Sequence, residues 1–180
     1  MDLINEPLPG VKILKPFVHL DERGEFVKTF HEQQLADHGI EIKLREEFFS
    51  CSNAGVIRGM HFQLPPFAHR KIVYCISGAV LDVVLDLRKS SPTYGRFAAF
   101  ELSAANRHMV SIPIGFAHGF LSLVDHSTLI YKTDAVHSPE HDAGVLWNGF
   151  GFEWPSVVDP PTVSLRDSRF PPFLGLDSPF

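Results

Sequence analysis

Cysteine is scarce in this chain. The 180 residues hold two, Cys51 and Cys75, which excludes a disulfide framework. Neither stands at a metal-site spacing from the other, and both read as reduced, buried thiols of a cytoplasmic protein. Positive charge is also in deficit. Lys and Arg number 16 against 21 Asp and Glu, a formal net charge of −5, which gives no support for a nucleic-acid partner or a membrane surface. Any anion-binding site must therefore be local. No apolar run approaches the length of a membrane span. The opening Met1-Asp2-Leu3-Ile4-Asn5-Glu6 lacks the basic and apolar regions of a secretory signal, so the cytoplasm is the expected location. Helix signals are rare, and there is neither a fixed-period repeat nor a low-complexity tract.

Turn formers and phenylalanine are what the chain has in quantity: 14 Pro, 13 Gly and 16 Phe. The phenylalanines are expected mostly in the core. Short strand signals recur between the turns, over 11–18, 25–30, 47–52, 56–62, 71–77, 79–87, 97–102, 108–112, 119–124 and 127–133. Ser77-Gly78 reads as a hairpin turn, and Val80 to Leu87 is too apolar for a half-solvated strand and should be central. One convincing helix spans His31 to His38, stopped by Gly39, and Thr162 to Asp167 offers a final short one. The tail from Pro171 to Phe180 has no periodicity and is expected to wrap the surface. Many short strands with Gly- and Pro-rich turns define an all-β sandwich or barrel in one domain.

Three stretches place cationic or titratable groups among apolar residues. They are Gly55-Val56-Ile57-Arg58-Gly59-Met60-His61-Phe62-Gln63, Lys71 ahead of Ile72 to Ile76, and Ile112 to Phe120 around His118. Taken singly, each has a bland explanation: a surface Arg, a core His on a backbone carbonyl, a Lys whose stem packs and whose amine reaches water. Taken together, they point to a barrel interior that binds something anionic. Asp82 and Asp86 read as structural partners of buried arginines such as Arg88. His19, His31, His38, His69, His108, His126 and His141 read as surface or loop residues.

Pro113-x-Gly115-x-x-His118 resembles the second cupin motif. A longer ordered series resembles the dTDP-4-dehydrorhamnose 3,5-epimerase family of nucleotide-sugar epimerases. It includes Asp21-x-Arg23-Gly24-x-Phe26, the Arg58 to Gln63 stretch, Lys71-Ile72-Val73, Asp82 to Gly95, Tyr131-Lys132, Trp147 and Trp154-Pro155. The resemblance implies a cupin-type jelly-roll β-barrel with a few short peripheral helices. It divides the single domain into N-terminal strands over about 1–45, the barrel over about 46–134 and a C-terminal segment over 135–180. It also implies a homodimer with N-terminal strand exchange and a nucleoside-diphospho-4-keto-6-deoxyhexose substrate. In such a site His61 is the base, held by Asp167, and Tyr131 is the acid on the opposite face. Lys71 sits by the keto oxygen, Arg23 and Arg58 grip the diphosphate, and Phe26 and His118 contact substrate. Removing a proton α to a ketone needs a base titrating near neutrality and a cation beside the enolate oxygen, which suits these residue types. No cofactor is implied. Metal-binding cupins carry two His one residue apart; here the spacing reads His61-Phe62-Gln63, so no metal is expected.

Several positions depart from the family pattern. Glu46 and Phe48 replace a Gln and an Asn, His137 stands where a second tyrosine is usual, Lys28 replaces a Glu, and Gly149 follows Asn148 where an acid is typical. These are substrate-facing positions. The tyrosine missing at His137 predicts that one carbon exchanges faster than the other, C3 ahead of C5, and Lys28 is expected to favour a cytidine-linked sugar. A nucleotide-sugar 3,4-ketoisomerase and a non-catalytic sugar-binding cupin are the alternatives. The first would not need Tyr131, and the second would be expected to have lost the base or its acid.

Overall fold

A computed structural model covers residues 1–180. Two sheets carry the fold. In the first, the spatial order is β1 (Asp2–Leu8), β2 (Val11–Lys15), β10 (Met109–Ile112), β7 (Lys71–Ser77), β12 (Ser127–Thr133) and β5 (Glu46–Ser52). In the second it is β13 (Asp142–Gly144), β6 (Val56–Gln63), β11 (Phe116–Ser122), β8 (Ala79–Asp86) and β9 (Phe97–Ser103). A short β14 (Thr162–Val163) joins β6 in parallel; every other pairing is antiparallel. The hairpin of β3 (Phe17–Asp21) and β4 (Gly24–Lys28) stands apart from both sheets. The architecture is the all-β barrel expected, with α1 (Glu32–Asp37) and two single 3₁₀ turns at its edges.

The alternation of side chains across the strands builds three apolar layers. Between the sheets, Val73, Cys75, Val110 and Leu129 meet Val80, Val84, Leu102, Phe116 and Phe120. The intervening residues of β7, Ile72 and Tyr74, face outward and pack under α1 against Leu35 and Ile40. Val83 and Leu85 of β8 point the other way, onto Met60, Val145 and Phe150. Strand β8 is therefore covered on both faces, which explains its near-continuous apolar run. Each large side chain so buried contributes about 1.5–3 kcal/mol.

The C-terminal segment covers the outer face of the second sheet. Phe173, Leu176 and Phe180 pack there, and the Lys89 N–H donates to the Phe180 carbonyl at 3.0 Å. The His31 ring caps α1 by accepting from the Gln34 N–H, and Gly39 follows the helix at φ +70°.

Several expectations are corrected. Pro16 has no N–H to donate, and the strand expected over 11–18 breaks there into β2 and β3. Ser77-Gly78 is not a hairpin: β7 and β8 lie in opposite sheets, and Gly78, at φ +73°, turns the corner between them. A Cβ on Gly78 would fall 2.6 Å from Ser127 Oγ. The acidic N-terminus forms β1, and the segment after Thr162 forms β14 and a 3₁₀ turn over Asp167–Arg169 in place of a helix. Cys51 is exposed, on edge strand β5. Most phenylalanines serve the core, as expected: Phe62, Phe116, Phe120 and Phe150 are buried in it and Phe30, Phe100, Phe152, Phe173 and Phe180 pack against it, while Phe17, Phe26, Phe48, Phe49 and Phe97 are exposed. No helix is long and apolar enough to cross a membrane.

Candidate active site

A cavity of about 370 Å³ opens between the sheets. The first sheet supplies Glu46, Phe48 and Ser50 from β5, Lys71 from β7, and Tyr131 and Thr133 from β12. The second supplies Arg58, His61 and Gln63 from β6 and His118 and Phe120 from β11. Alternation along a regular strand would send Arg58 and His61 to opposite faces. A bulge solves this: β11 pairs His118 with His61 and Phe120 with Arg58, so β6 carries one extra residue. Gly59 makes the bulge possible. It sits at φ +141°, and a Cβ there would lie 2.5 Å from the Gly119 Cα. Nothing but glycine fits either position.

His61 Nε2 lies 2.9 Å from Asp167 Oδ1, and the Gly59 N–H donates to Asp167 Oδ2 at 3.1 Å. Burial pushes the Asp167 carboxyl up, but the His61 bond and charge, the Gly59 N–H and the Arg166 side chain override it. They hold that carboxyl well below the ordinary carboxylate range. Burial lowers His61 below an ordinary imidazole; Asp167 opposes this, and the charges of Lys71 and Arg166 add to it. The ring is thus neutral at pH 7, as a proton acceptor must be.

Lys71 donates from Nζ to the His61 carbonyl at 3.2 Å. Burial pulls its ammonium down to about 8, against the pull of Asp82 and Asp142. On the opposing sheet, Tyr131 is buried, which pushes its phenol far above the usual range, opposed by a 3.2 Å hydrogen bond to Ser50. It remains a proton donor at any ordinary pH. Phe48 stacks on the Tyr131 ring at 4.7 Å between centroids.

His118 is buried and bonds through Nε2 to Asp82 Oδ2 at 2.9 Å. This corrects the expectation for Asp82, which serves a histidine; Asp86, as expected, binds Arg88, from Nε at 2.9 Å and Nη2 at 2.8 Å. Arg58 reaches Ser52 Oγ at 3.0 Å at the cavity wall. Glu46 accepts from the His137 N–H at 2.7 Å, so both of these altered positions line the cavity with Phe48. Arg23, Phe26 and Lys28 lie elsewhere, on the β3–β4 hairpin, outside the cavity of their own chain. Arg23 is exposed and paired with Asp21.

Among the cavity residues that the sequence pattern did not mark are His69 and Arg166. His69, expected in a surface loop, lines the cavity with Nδ1 3.0 Å from Gln63 Nε2, and burial lowers its ring to about 4. Arg166 reaches His61 Nε2 at 2.6 Å and Asp142 Oδ2 at 2.8 Å. Its place next to Asp167 in sequence was the only available signal. Gln63, where a metal cupin has a ligand, is spent as a brace: it donates to the Phe67 carbonyl and accepts from the Ser138 N–H at 2.7 Å. No three His, Cys, Asp or Glu side chains converge as a ligand set.

Barrel and cavity together define a class: a cupin-type protein with a neutral histidine on an ionised carboxylate, facing a protonated phenol across one cavity. The chain belongs to the dTDP-4-dehydrorhamnose 3,5-epimerase family, whose model matches residues 5–174. It is 39% identical to the dTDP-4-dehydrorhamnose 3,5-epimerase of Shigella flexneri over 98% of both chains. The crystal structure of the Bacillus anthracis enzyme with TDP and PPi bound superposes with a TM-score of 0.91 at 38% identity, covering 95% of this chain and 98% of that one. A 3'-monoepimerase from Streptomyces bikiniensis in complex with dTDP-quinovose gives a TM-score of 0.87 at 29% identity, over 93% and 85% of the two chains.

Proposed function

We propose that this protein epimerises a dTDP-linked 4-keto-6-deoxyhexose by moving protons on and off the carbons beside the ketone. His61 takes the C–H proton, the electron pair shifts into the enolate, and its oxygen is stabilised by the Lys71 ammonium. Tyr131 then gives a proton to the same carbon from the opposite face, and the pair inverts the centre. Proton transfers alone balance this reaction, so no redox cofactor enters it. The observation that carries the reading is the placement of His61 and Tyr131 on opposing sheets of one cavity, with Lys71 beside the base. Tyr131 also favours epimerisation over ketoisomerisation, which returns the proton on the same face. His137 in place of a second phenol supports C3 exchanging ahead of C5, and the resemblance to a 3'-monoepimerase points the same way.

The same reading makes the protein a cytoplasmic homodimer with exchanged N-terminal strands. Phe17, Leu20 and Phe26 are exposed on the β3–β4 hairpin, and β5 is an unpaired edge with Phe49 exposed at 69%. Exposed apolar residues on a free edge call for a partner. In the dimer the hairpin would carry Arg23, Phe26 and Lys28 to the partner's cavity, where Arg23 and Arg58 would share the diphosphate. The test is incubation with dTDP-4-keto-6-deoxyglucose in deuterated water, followed by NMR at C3 and C5. Deuterium with inversion at C3, alone or ahead of C5, is expected. Absence of label at both carbons would overturn the proposed function.

A further inference from the structure

The ring nitrogen of His61 that meets Asp167 also meets Arg166. Nε2 lies 2.9 Å from Asp167 Oδ1 and 2.6 Å from Arg166 Nη2. A guanidinium nitrogen can only donate, and an ionised carboxylate can only accept. In a neutral imidazole, Nε2 either carries a proton and donates to Asp167 or offers a lone pair to Arg166. It cannot do both. Asp167 is satisfied without the His61 proton, because Arg166 Nε donates to Oδ1 at 3.0 Å and the Gly59 N–H donates to Oδ2. Asp142 steadies the far end of the guanidinium at 2.8 Å. The proton then belongs on Nδ1, the nitrogen that has no partner in the protein and is left open to the cavity. A protonated Nδ1 is an idle base.

Building on the epimerase reading, we infer that Arg166 is a positioning residue that holds His61 in its idle tautomer until an anion at the cavity mouth draws the guanidinium away. Its side chain is half exposed and lines the cavity, so a diphosphate can compete for it. Once Nη2 leaves, Nε2–H donates to Asp167 and Nδ1 becomes the acceptor. The base is armed by the substrate it serves. The other groups facing His61 are Lys71, on its carbonyl, His118, paired beside it on β11, and Asp142 on β13. Of these and Arg166, only Arg166 is a hydrogen-bond donor placed at Nε2.

The experiment is ¹⁵N NMR of the histidine-labelled full chain, with the His61 signals identified by their loss in His61→Asn. In the free wild type, Nδ1 should carry the proton; on adding dTDP, it should move to Nε2. Arg166→Gln should show Nε2 protonated with or without dTDP, and Arg166→Lys should restore the wild-type pattern. In the pH profile of kcat/KM, Arg166→Gln should move the acid limb upward, since a cation beside the imidazole has gone. A merely structural role would lower kcat and leave tautomer and limb in place. Nε2 protonated in the free wild type would overturn the inference, as would dTDP binding without a tautomer change. If dTDP does not bind, the release step and the proposed function fall together. The free-protein spectrum still decides the resting tautomer.

Discussion

Two histidine–carboxylate pairs stand side by side on adjacent strands, and they are built differently. His61 and His118 face each other in register on β6 and β11, and each bonds a carboxylate at 2.9 Å. Asp167 is well supplied: the Gly59 N–H and Arg166 Nε donate to it, and the His61 ring lies against it. Asp82 has the histidine alone; its Oδ1 has no partner, and the side chain is wholly buried. Burial pushes the Asp82 carboxyl up, with His118 and the charge of Lys71 opposing, whereas Asp167 is driven far down. Identical residue types thus receive opposite duties from their surroundings. Asp167 is a permanent anion that can orient a base and support the imidazolium it becomes. Asp82 is a poorly solvated acid whose charge depends on Lys71 and His118, suited to holding His118 in place.

The largest effect separates the pairs directly. His61→Asn should lower deuterium exchange by roughly 10²–10⁴-fold, the usual worth of a general base, while dTDP affinity holds. His118→Asn removes a ring that lines and shapes the cavity, so it should cost far less in exchange. Equal losses in the two variants, read by NMR in deuterated water, would erase the distinction.

Tyr131→Phe tests the face opposite both pairs. Proton removal survives because His61, Asp167 and Lys71 are intact, but delivery to the other face is lost. The substrate should take up deuterium with its configuration retained, at an inversion rate lower by about 10²-fold or more. A variant that still inverts would pass the acid's role to another group, His137 being the nearest candidate in the sequence pattern.

A subtler effect lies in the pH profile. In the proposed reaction Lys71 acts as an ammonium beside the enolate, and its folded value is pulled down to about 8. The active, protonated form therefore predominates below that pH and is lost as pH rises through it. The alkaline limb of kcat/KM should fall near pH 8, well below the range of a solvated lysine. Asp82→Asn removes a carboxylate that holds the ammonium up, so the limb should move lower still. Asp167→Asn, which does not act on Lys71 in this way, should leave the limb where it is and lower the rate instead.

How much of this was legible in sequence follows from range. Period-2 alternation and turn residues revealed most strands, because those signals are local. Sheet membership was not local: Ser77-Gly78 has hairpin chemistry, yet the chain crosses to the other sheet there. The cavity residues Arg58, His61, Lys71 and His118 were visible as polar groups on apolar strands. The parity of Arg58 and His61 was not, since the bulge depends on Gly59 meeting Gly119 from a distant strand. Asp82 looked like an arginine's partner because its neighbour Asp86 is one; only the pairing of β8 with β11 brings it to His118. Arg166 reads as an ordinary exposed arginine until the C-terminal segment folds back beneath β6.

The smallest expected effect concerns Lys28, which belongs to neither pair and lies on the hairpin outside its own cavity. If the hairpin crosses to a partner, the Lys28 ammonium, which can only donate, stands near the nucleobase. It would then suit the ring acceptors of cytosine better than the N–H of thymine, as the sequence pattern alone predicts. The relative from Bacillus anthracis was solved with TDP, so the chemistry at this one position opposes the nucleotide seen in a family member. A mispaired polar contact at a binding site costs about 1–3 kcal/mol, less where water reaches it. Competition calorimetry with CDP and dTDP on wild type and Lys28→Glu should show the ratio of affinities moving toward dTDP in the variant, by about tenfold or less. An unchanged ratio would remove Lys28 from the base site. Sedimentation of the same samples then separates the causes: a monomer leaves the hairpin with no cavity to reach, whereas a dimer with an unchanged ratio places Lys28 in solvent.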